Sequence, residues 1–276
     1  MSDIIAADQN SPRAALRRIF GLVLRHWYVI RGSWPRTAEL IYWPLVQMLM
    51  WGFLQSYLAQ STSFAAKAAG LFIGGVLLWD ILVRCQLGFS VAFLEEIWSR
   101  NLGHLMMSPL RPWEMVAALM VVSLLKLSVA MVPVSVLAWA FFGFNVLSLG
   151  FALFGFFAIL VILSWSLGLV ATGAVLRWGL GAESFAWLLV FLLLPIACVY
   201  YPVSTLPGWL QPVAWLLPAT HVFEGLRAIV LEGRFRGDLM AWGLALDVLY
   251  LAAGYGVFHH LLESARHNGS LVQMGE

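Results

Sequence analysis

The sequence predicts an all-α membrane protein with six transmembrane helices, and three observations carry that reading. Of its 276 residues, 62% are hydrophobic and only 11% charged; ordinary soluble domains are about 45–50% apolar and about 25% charged. Six segments are apolar over about the 20 residues needed to cross the hydrocarbon. Arginines gather ahead of the first of them, the pattern of a cytoplasmic flank. A globule of this length would leave about a quarter of its unfolded surface wet, so the apolar excess must face lipid. A soluble enzyme, a nucleic-acid-binding domain and a disordered regulator are excluded. The net charge of +2 implies no polyanionic partner.

Residues 1–36 read as a cytoplasmic N-terminus. No cleavable signal is expected, because the first strong apolar run follows an arginine-rich stretch and no small-residue cleavage site closes it. Residues 12–32 read as a helix lying in the membrane interface. Arg18 and Arg25 are seven apart, and Arg17 and Arg31 fourteen apart, so they share one side. Ile19, Phe20, Leu22, Val23, Leu24, Trp27 and Ile30 fill the rest. Arg17, Arg18 and Arg25 are expected at the headgroups, with Trp27 and the aliphatics below. Such a helix is either a plain anchor or a connector that also touches a cytoplasmic partner.

The six spans are expected at about 37–58, 66–93, 112–142, 148–176, 183–201 and 239–262. A further apolar stretch, 206–231, is broken by Pro207, Pro212 and Pro218 and carries Glu224 and Arg227. Proline removes a backbone donor, so this stretch reads as short helices that dip into the membrane without crossing. Such backbone survives there only when buried in protein or lining a wet cavity. Arg13, Arg17, Arg18, Arg25, Arg31, Arg36, Arg100, Arg111, Arg177 and Arg266 then fall on one side, against Lys67, Arg227, Arg234 and Arg236 on the other. That bias places both termini in the cytoplasm. No internal repeat or linker divides the chain, so 37–262 forms one transmembrane domain and 263–276 a cytoplasmic tail. Fourteen tryptophans suit anchoring at two interfaces, and Cys85 and Cys198 read as buried thiols.

Residues 94–107, LEEIWSRNLGHLMM, read as one amphipathic helix between the second and third spans. Leu94, Ile97, Trp98, Leu102 and Leu105 share a face; Glu95, Glu96, Ser99, Arg100 and His104 occupy the other. A rigid corner follows, Ser108-Pro109-Leu110-Arg111-Pro112. The segment is either a lever that carries a push from a cytoplasmic partner into two spans, or a solvated interfacial loop helix. Asp80, Arg84, Lys126 and Asp247 lie at membrane depth. Charges there face the bundle interior and usually pair: Asp80 with Arg84 along one helix, Lys126 with Asp80 or Asp247 across helices. Their sum is zero, which favours a structural network over a proton relay or ion site. His259 and His260 read as interfacial histidines. There is no phosphate-cradling loop and no H-E-x-x-H, and the string Ser164-Trp165-Ser166-Leu167-Gly168 lacks the first glycine of G-x-S-x-G. No metal or cofactor site is expected.

Tyr200-Tyr201-Pro202-Val203-Ser204-Thr205-Leu206-Pro207-Gly208-Trp209-Leu210-Gln211, then Leu216-Leu217-Pro218-Ala219-Thr220-His221, Glu224, Arg227 and Gly233, form the most specific stretch. With six spans, an amphipathic helix before the first and another between the second and third, the chain resembles the type-2 ABC permeases, the membrane subunits of type V ABC exporters. The stretch is similar to the "P-V-x-x-L-P … L-L-P-x-x-H … R … G" signature of the branch of lipo-oligosaccharide, O-antigen and small drug exporters. Residues 94–107, with Pro109-Leu110-Arg111 and Glu114, match the coupling-helix region. Asp80, Arg84 and Lys126 are no part of that signature.

The resemblance implies a homodimeric permease in a bacterial inner membrane that exports a lipid-linked saccharide or other amphiphilic substrate. It implies two copies of a separate nucleotide-binding ATPase subunit, with ATP and Mg on that partner. Glu95, Glu96, Trp98, Arg100, Asn101, His104 and Leu105 would dock the ATPase. Tyr200, Tyr201, Pro202, Trp209, Pro218, Glu224 and Arg227 would shape the substrate path or outer gate. Tyr200, Tyr201 and Trp209 suit either stacking on a substrate or ordinary interface anchoring. An ion-coupled secondary transporter using Asp80, Arg84, Lys126 and Asp247 is the alternative, and the missing repeat symmetry weighs against it.

Overall fold

The computed structural model describes residues 11–59, 63–143 and 150–268. The first ten residues, the tail from 269, the start of the fourth expected span at Ser148 and the side chain of Lys67 lie outside the described residues. Within them the chain is all-α. In order come α1 (Pro12–Arg31), α2 (Trp34–Ala59), α3 (Ser63–Trp98), α4 (Leu102–Met107), α5 (Pro112–Phe142), α6 (Phe151–Trp178), α7 (Ser184–Leu193), α8 (Gln211–Trp215), α9 (Pro218–Arg227) and α10 (Gly237–His267).

Among the described residues, four stretches are long and apolar enough to cross a membrane: Leu71–Trp98, Pro112–Phe142, Phe151–Ala182 and Gly237–His267. They correspond to the second, third, fourth and sixth expected spans. Helix α2 covers the first and is 26 residues long, about 39 Å at 1.5 Å per residue. Its polar Arg36, Glu39, Gln47 and Gln55, with Trp and Tyr, make it the less apolar member. The fifth expected span is helical only over Ser184–Leu193, 10 residues, or about 15 Å, half the hydrocarbon thickness. Pro195 cannot donate to a continuing helix, and the chain turns from Leu194 to Tyr201 with Cys198 at φ 56°. The proline-broken stretch beyond it folds into α8, α9 and a π-turn at Ala228–Glu232.

Helix α3 is the central element and packs against α2, α5, α6 and α7. The widest face elsewhere is that of α6 on α10, and it depends on small residues. A Cβ on Gly254 would stand 2.7 Å from the backbone oxygen of Ser166. Close backbone approach through small residues is how helices associate where lipid supplies no hydrophobic drive. Helix α1 is not peripheral. Ala15, Leu22, His26 and Ile30 form its buried stripe, and Leu22 joins a core with Phe89, Phe93, Leu119, Leu176 and Phe258. Outward-facing Phe151, Phe154, Phe191, Trp242 and Leu249 leave an apolar belt around the bundle.

The single helix expected over 94–107 is instead two. Leu94 and Ile97 are buried and carry α3 on to Trp98. There Arg100 turns left-handed at φ 54°. Its N–H bonds Ile97 O, and the N–H of Asn101 bonds Glu96 O at 2.9 Å, the double closure that ends many helices. Helix α4 then runs at a new angle to the Pro109–Pro112 corner. Pro112 opens α5, where its missing N–H costs nothing.

Replacing Gly254 with valine should wedge α6 from α10. The expected loss is about 2 kcal/mol, read as a lowered unfolding midpoint of the detergent-solubilised chain, with Gly256→Val, which meets open space, close to unchanged.

Candidate functional site

The sequence-marked charges gather where α1, the end of α3 and the start of α5 meet. Glu114 is buried in the first turn of α5. Arg18 grips it with two bonds, Nε to Oε2 at 2.8 Å and Nη2 to Oε1 at 2.6 Å. Glu114 Oε2 also accepts the Arg111 N–H at 3.0 Å, capping the helix. A bidentate, charge-assisted pair of this kind is stronger and more directional than a neutral hydrogen bond. About two turns further along α1, Arg25 bonds the buried Glu96. Asn101 donates to the same Glu96 Oε2 at 2.7 Å. The exit turn of α3 is thus tied to its own last helical turn.

His26 lies between the two acids. Its Nδ1 is 3.5 Å from Glu95 Oε2 and its Nε2 is 3.2 Å from Glu96 Oε1. The second contact is within ion-pair range but off the line of a hydrogen bond. Burial disfavours the imidazolium and Lys126 repels it, yet Glu95 and Glu96 outweigh both and raise the pKa of His26 above its ordinary 6.5. Lys126 Nζ reaches Glu95 at 3.3 Å, and Arg36 approaches it at 3.8 Å.

Several sequence expectations change here. Lys126 pairs with Glu95, not with Asp80 or Asp247. Asp80 and Asp247 are buried with neither carboxylate oxygen hydrogen-bonded, and Arg84 Nε is likewise unbonded. The four charges therefore do not form one network: Lys126 carries its ammonium along a flexible stem towards the end of α3. Glu95 and Glu96 turn inward to α1 and α5, because the phase of α3 continues past the span. Arg18 and Arg25 also point into the protein, not at headgroups, while Arg17 and Trp27 stay exposed. His26 had no place in the sequence reading, and Arg36 entered it only as one of the arginines that set the orientation. The signal for His26 is its spacing with Leu22 and Ile30, one every four residues.

What the corner offers outward is different. Trp98, Ser99, Arg100, His104, Met107, Arg111 and Trp113 are exposed. Leu105 is half-buried against the core that holds α1, and Asn101 is half-buried on Glu96.

At the other marked region, α9 staples the turn after α7. Glu224 Oε1 accepts the Val203 N–H at 2.8 Å and Arg227 Nη2 at 3.3 Å. Arg227 also donates to the carbonyls of Cys198 and Val199. Tyr201 donates to Pro195 O at 2.5 Å. Tyr200 stacks on Trp51 of α2, ring centroids 4.6 Å apart and planes within 17°. Tyr200, Tyr201, Pro202, Glu224 and Arg227 are thus brought together. Pro218 is buried at the start of α9, and Trp209 stands apart, 75% exposed. Among the described residues no three His, Cys, Asp or Glu side chains converge on a metal position.

The model of the ABC-2 type transporter family matches residues 22–231, from the middle of α1 through the π-turn. The chain belongs to the ABC-2 type transporter family. It is a multi-pass membrane protein and an ABC transporter permease subunit, of a family that normally works with an ATPase subunit. No curated protein matches it.

Arg18→Glu should detach the N-terminal half of α1 at a cost of about 2 kcal/mol, seen as faster amide exchange across residues 12–22. The exchanged pair Arg18→Glu with Glu114→Arg should recover most of the protection; no recovery would mean that the pair does not hold α1.

Proposed function

We propose that this permease subunit is the membrane half of an ATP-driven exporter that moves a lipid-linked saccharide or other amphiphile outward across a bacterial inner membrane. Two ATPase subunits, holding ATP and Mg, would drive two copies of this chain, with both termini on the cytoplasmic side. The observation that carries the reading is the corner itself. Exposed Trp98, Arg100, His104 and Met107 stand on a turn whose backbone is fixed by the α3 closure, the Pro109–Pro112 bend and the buried Glu96 and Glu114 pairs. A surface for a moving partner needs outward anchors on a frame that does not absorb the push.

ATP-driven approach of the ATPases would press on α4. The end of α3 and the start of α5 are both tied to α1, through Arg25–Glu96 and Arg18–Glu114, and Lys126 of α5 reaches Glu95, so the three would tilt as one unit. The movement would reach the opposite end of the bundle through α3, against which α2, α6 and α7 lie. There the Trp51–Tyr200 stack and the Glu224–Arg227 staple support an outer gate. An aromatic pair of this kind also suits a sugar ring or an acyl-aromatic group. The ion-coupled alternative is weakened by the separation of the charges, since Lys126 faces Glu95 and leaves Asp80 and Asp247 without it.

Co-purification with a candidate P-loop ATPase subunit tests the assignment. The combined change Trp98→Ala, Arg100→Glu should weaken ATPase binding by about tenfold or more, as loss of an aromatic–arginine anchor does, while leaving the permease folded. Undiminished binding and ATP turnover would remove the corner from the coupling role.

A further inference from the structure

We propose that His26 is a proton-operated latch that holds the N-terminal helix α1 against α3 and α5, so that the coupling corner is rigid in its protonated state and loosened in its neutral state. The inference deepens the permease reading by adding a regulation to the same corner, and it rests on that reading only for its effect on turnover.

A neutral imidazole has one N–H and one lone pair. His26 faces a carboxylate at each ring nitrogen, Glu95 Oε2 at 3.5 Å from Nδ1 and Glu96 Oε1 at 3.2 Å from Nε2. Whichever tautomer formed, the bare nitrogen would lie within 3.5 Å of an anion with no proton between them. Only the imidazolium sets a positive charge beside both, at Glu96 as a close ion pair off the hydrogen-bond line. The ring is 3% exposed, so water cannot easily fill in for the missing donor.

The surrounding charges agree. Glu96 is also served by Arg25 and Asn101, and Glu95 by Lys126 and Arg36. From α1 itself come Arg25 and His26; from α3, Glu95 and Glu96; from α5, Lys126; from α2, Arg36. Glu95 keeps Lys126 and Arg36, both from other helices, when His26 loses its proton, so the link that is lost is that of α1 to Glu95, while Arg25 still holds Glu96. Arg18–Glu114 and Arg25–Glu96 persist as pivots, and the C-terminal turns of α1 beyond Arg25 are the part released.

The sign follows from linkage. The pKa of His26 is raised in the docked state, so the latch contributes fully below the ordinary histidine value and is lost as pH rises through the docked one. Cytoplasmic alkalinisation would therefore soften the corner, and acidification would stiffen it.

The test uses the full-length permease in lipid nanodiscs, without the ATPase. Nitroxides at Tyr28→Cys and Ser99→Cys, both exposed positions, report the distance from the C-terminal end of α1 to the end of α3 by double electron–electron resonance, with labelled chains diluted by unlabelled ones. The expected result is one narrow distance at about pH 6 and a severalfold growth of longer distances by about pH 8.5. His26→Gln should show the loosened distribution at both values. His26→Lys, which stays charged, should restore the narrow distance at both and also shows that the position tolerates change. A wild-type distribution that does not move with pH, or a His26→Gln chain that titrates as the wild type does, overturns the latch. Addition of the ATPase separates the two readings. Loss of the alkaline limb of ATP turnover in His26→Lys joins them; absence of any stimulation by the permease defeats the transport assignment while the distance result stands on its own.

Discussion

The organisation of the end of the bundle where α1, α3 and α5 meet depends on two adjacent acids that turn inward. Glu95 and Glu96 sit in the last turn of a long membrane helix, where exposed carboxylates would ordinarily be solvated. Instead Glu96 is buried and bound by Arg25 and Asn101, and Glu95 draws Lys126 and Arg36 toward it. An unpaired buried carboxylate is strongly disfavoured, so once α3 carries these acids past the span, cations must be delivered to them. Helix α1 delivers two, Arg25 and His26, and places a third, Arg18, on Glu114. The N-terminal helix is thereby part of the bundle, not a float beside it.

That constraint links the layers of the structure. The left-handed turn at Arg100 closes α3 directly after the acids, and Asn101 binds back to Glu96. The exposed Trp98, Arg100, His104 and Met107 are then held on a short, fixed path into α5. A push applied there cannot be taken up by a flexible loop. The same economy of charge appears at the turn after α7, where Glu224 and Arg227 satisfy backbone groups that Pro195 and the end of α7 leave without helical partners. In both places a few charged side chains do the work that a continuous helix would otherwise do.

Much of this was legible in the residues. The apolar stretches place α2, α3, α5, α6 and α10, because a 20-residue apolar run has no alternative in lipid. Pro207, Pro212 and Pro218 announce broken helices, and α8 and α9 are broken helices. The family resemblance drew most of its specificity from the same proline-rich stretch, with the corner at Pro109-Leu110-Arg111 beside it. The candidate site was half legible. The segment holding Glu95 to Leu105 was marked, but as one amphipathic helix with its acids outward. That reading needed the helix to restart after the span, whereas buried Leu94 and Ile97 let α3 run through. Likewise Arg18 and Arg25 share a face with arginines that do stay outside, and no local pattern distinguishes an arginine that meets lipid phosphate from one that meets a carboxylate 71 or 96 residues away.

The sequence by itself determined the solvent of this protein, its helical class and the places where helices must start, break or stop, because those depend on hydrophobicity and backbone chemistry within a few residues. Only the tertiary structure decided which charges meet. Lys126 chose Glu95 over Asp80 and Asp247, His26 fell between two acids, and the fifth span stopped after half a crossing. Charge pairing at this depth is set by which helix faces lie together and by the reach of a side chain of a few ångströms, and neither is encoded in spacing along one strand of sequence.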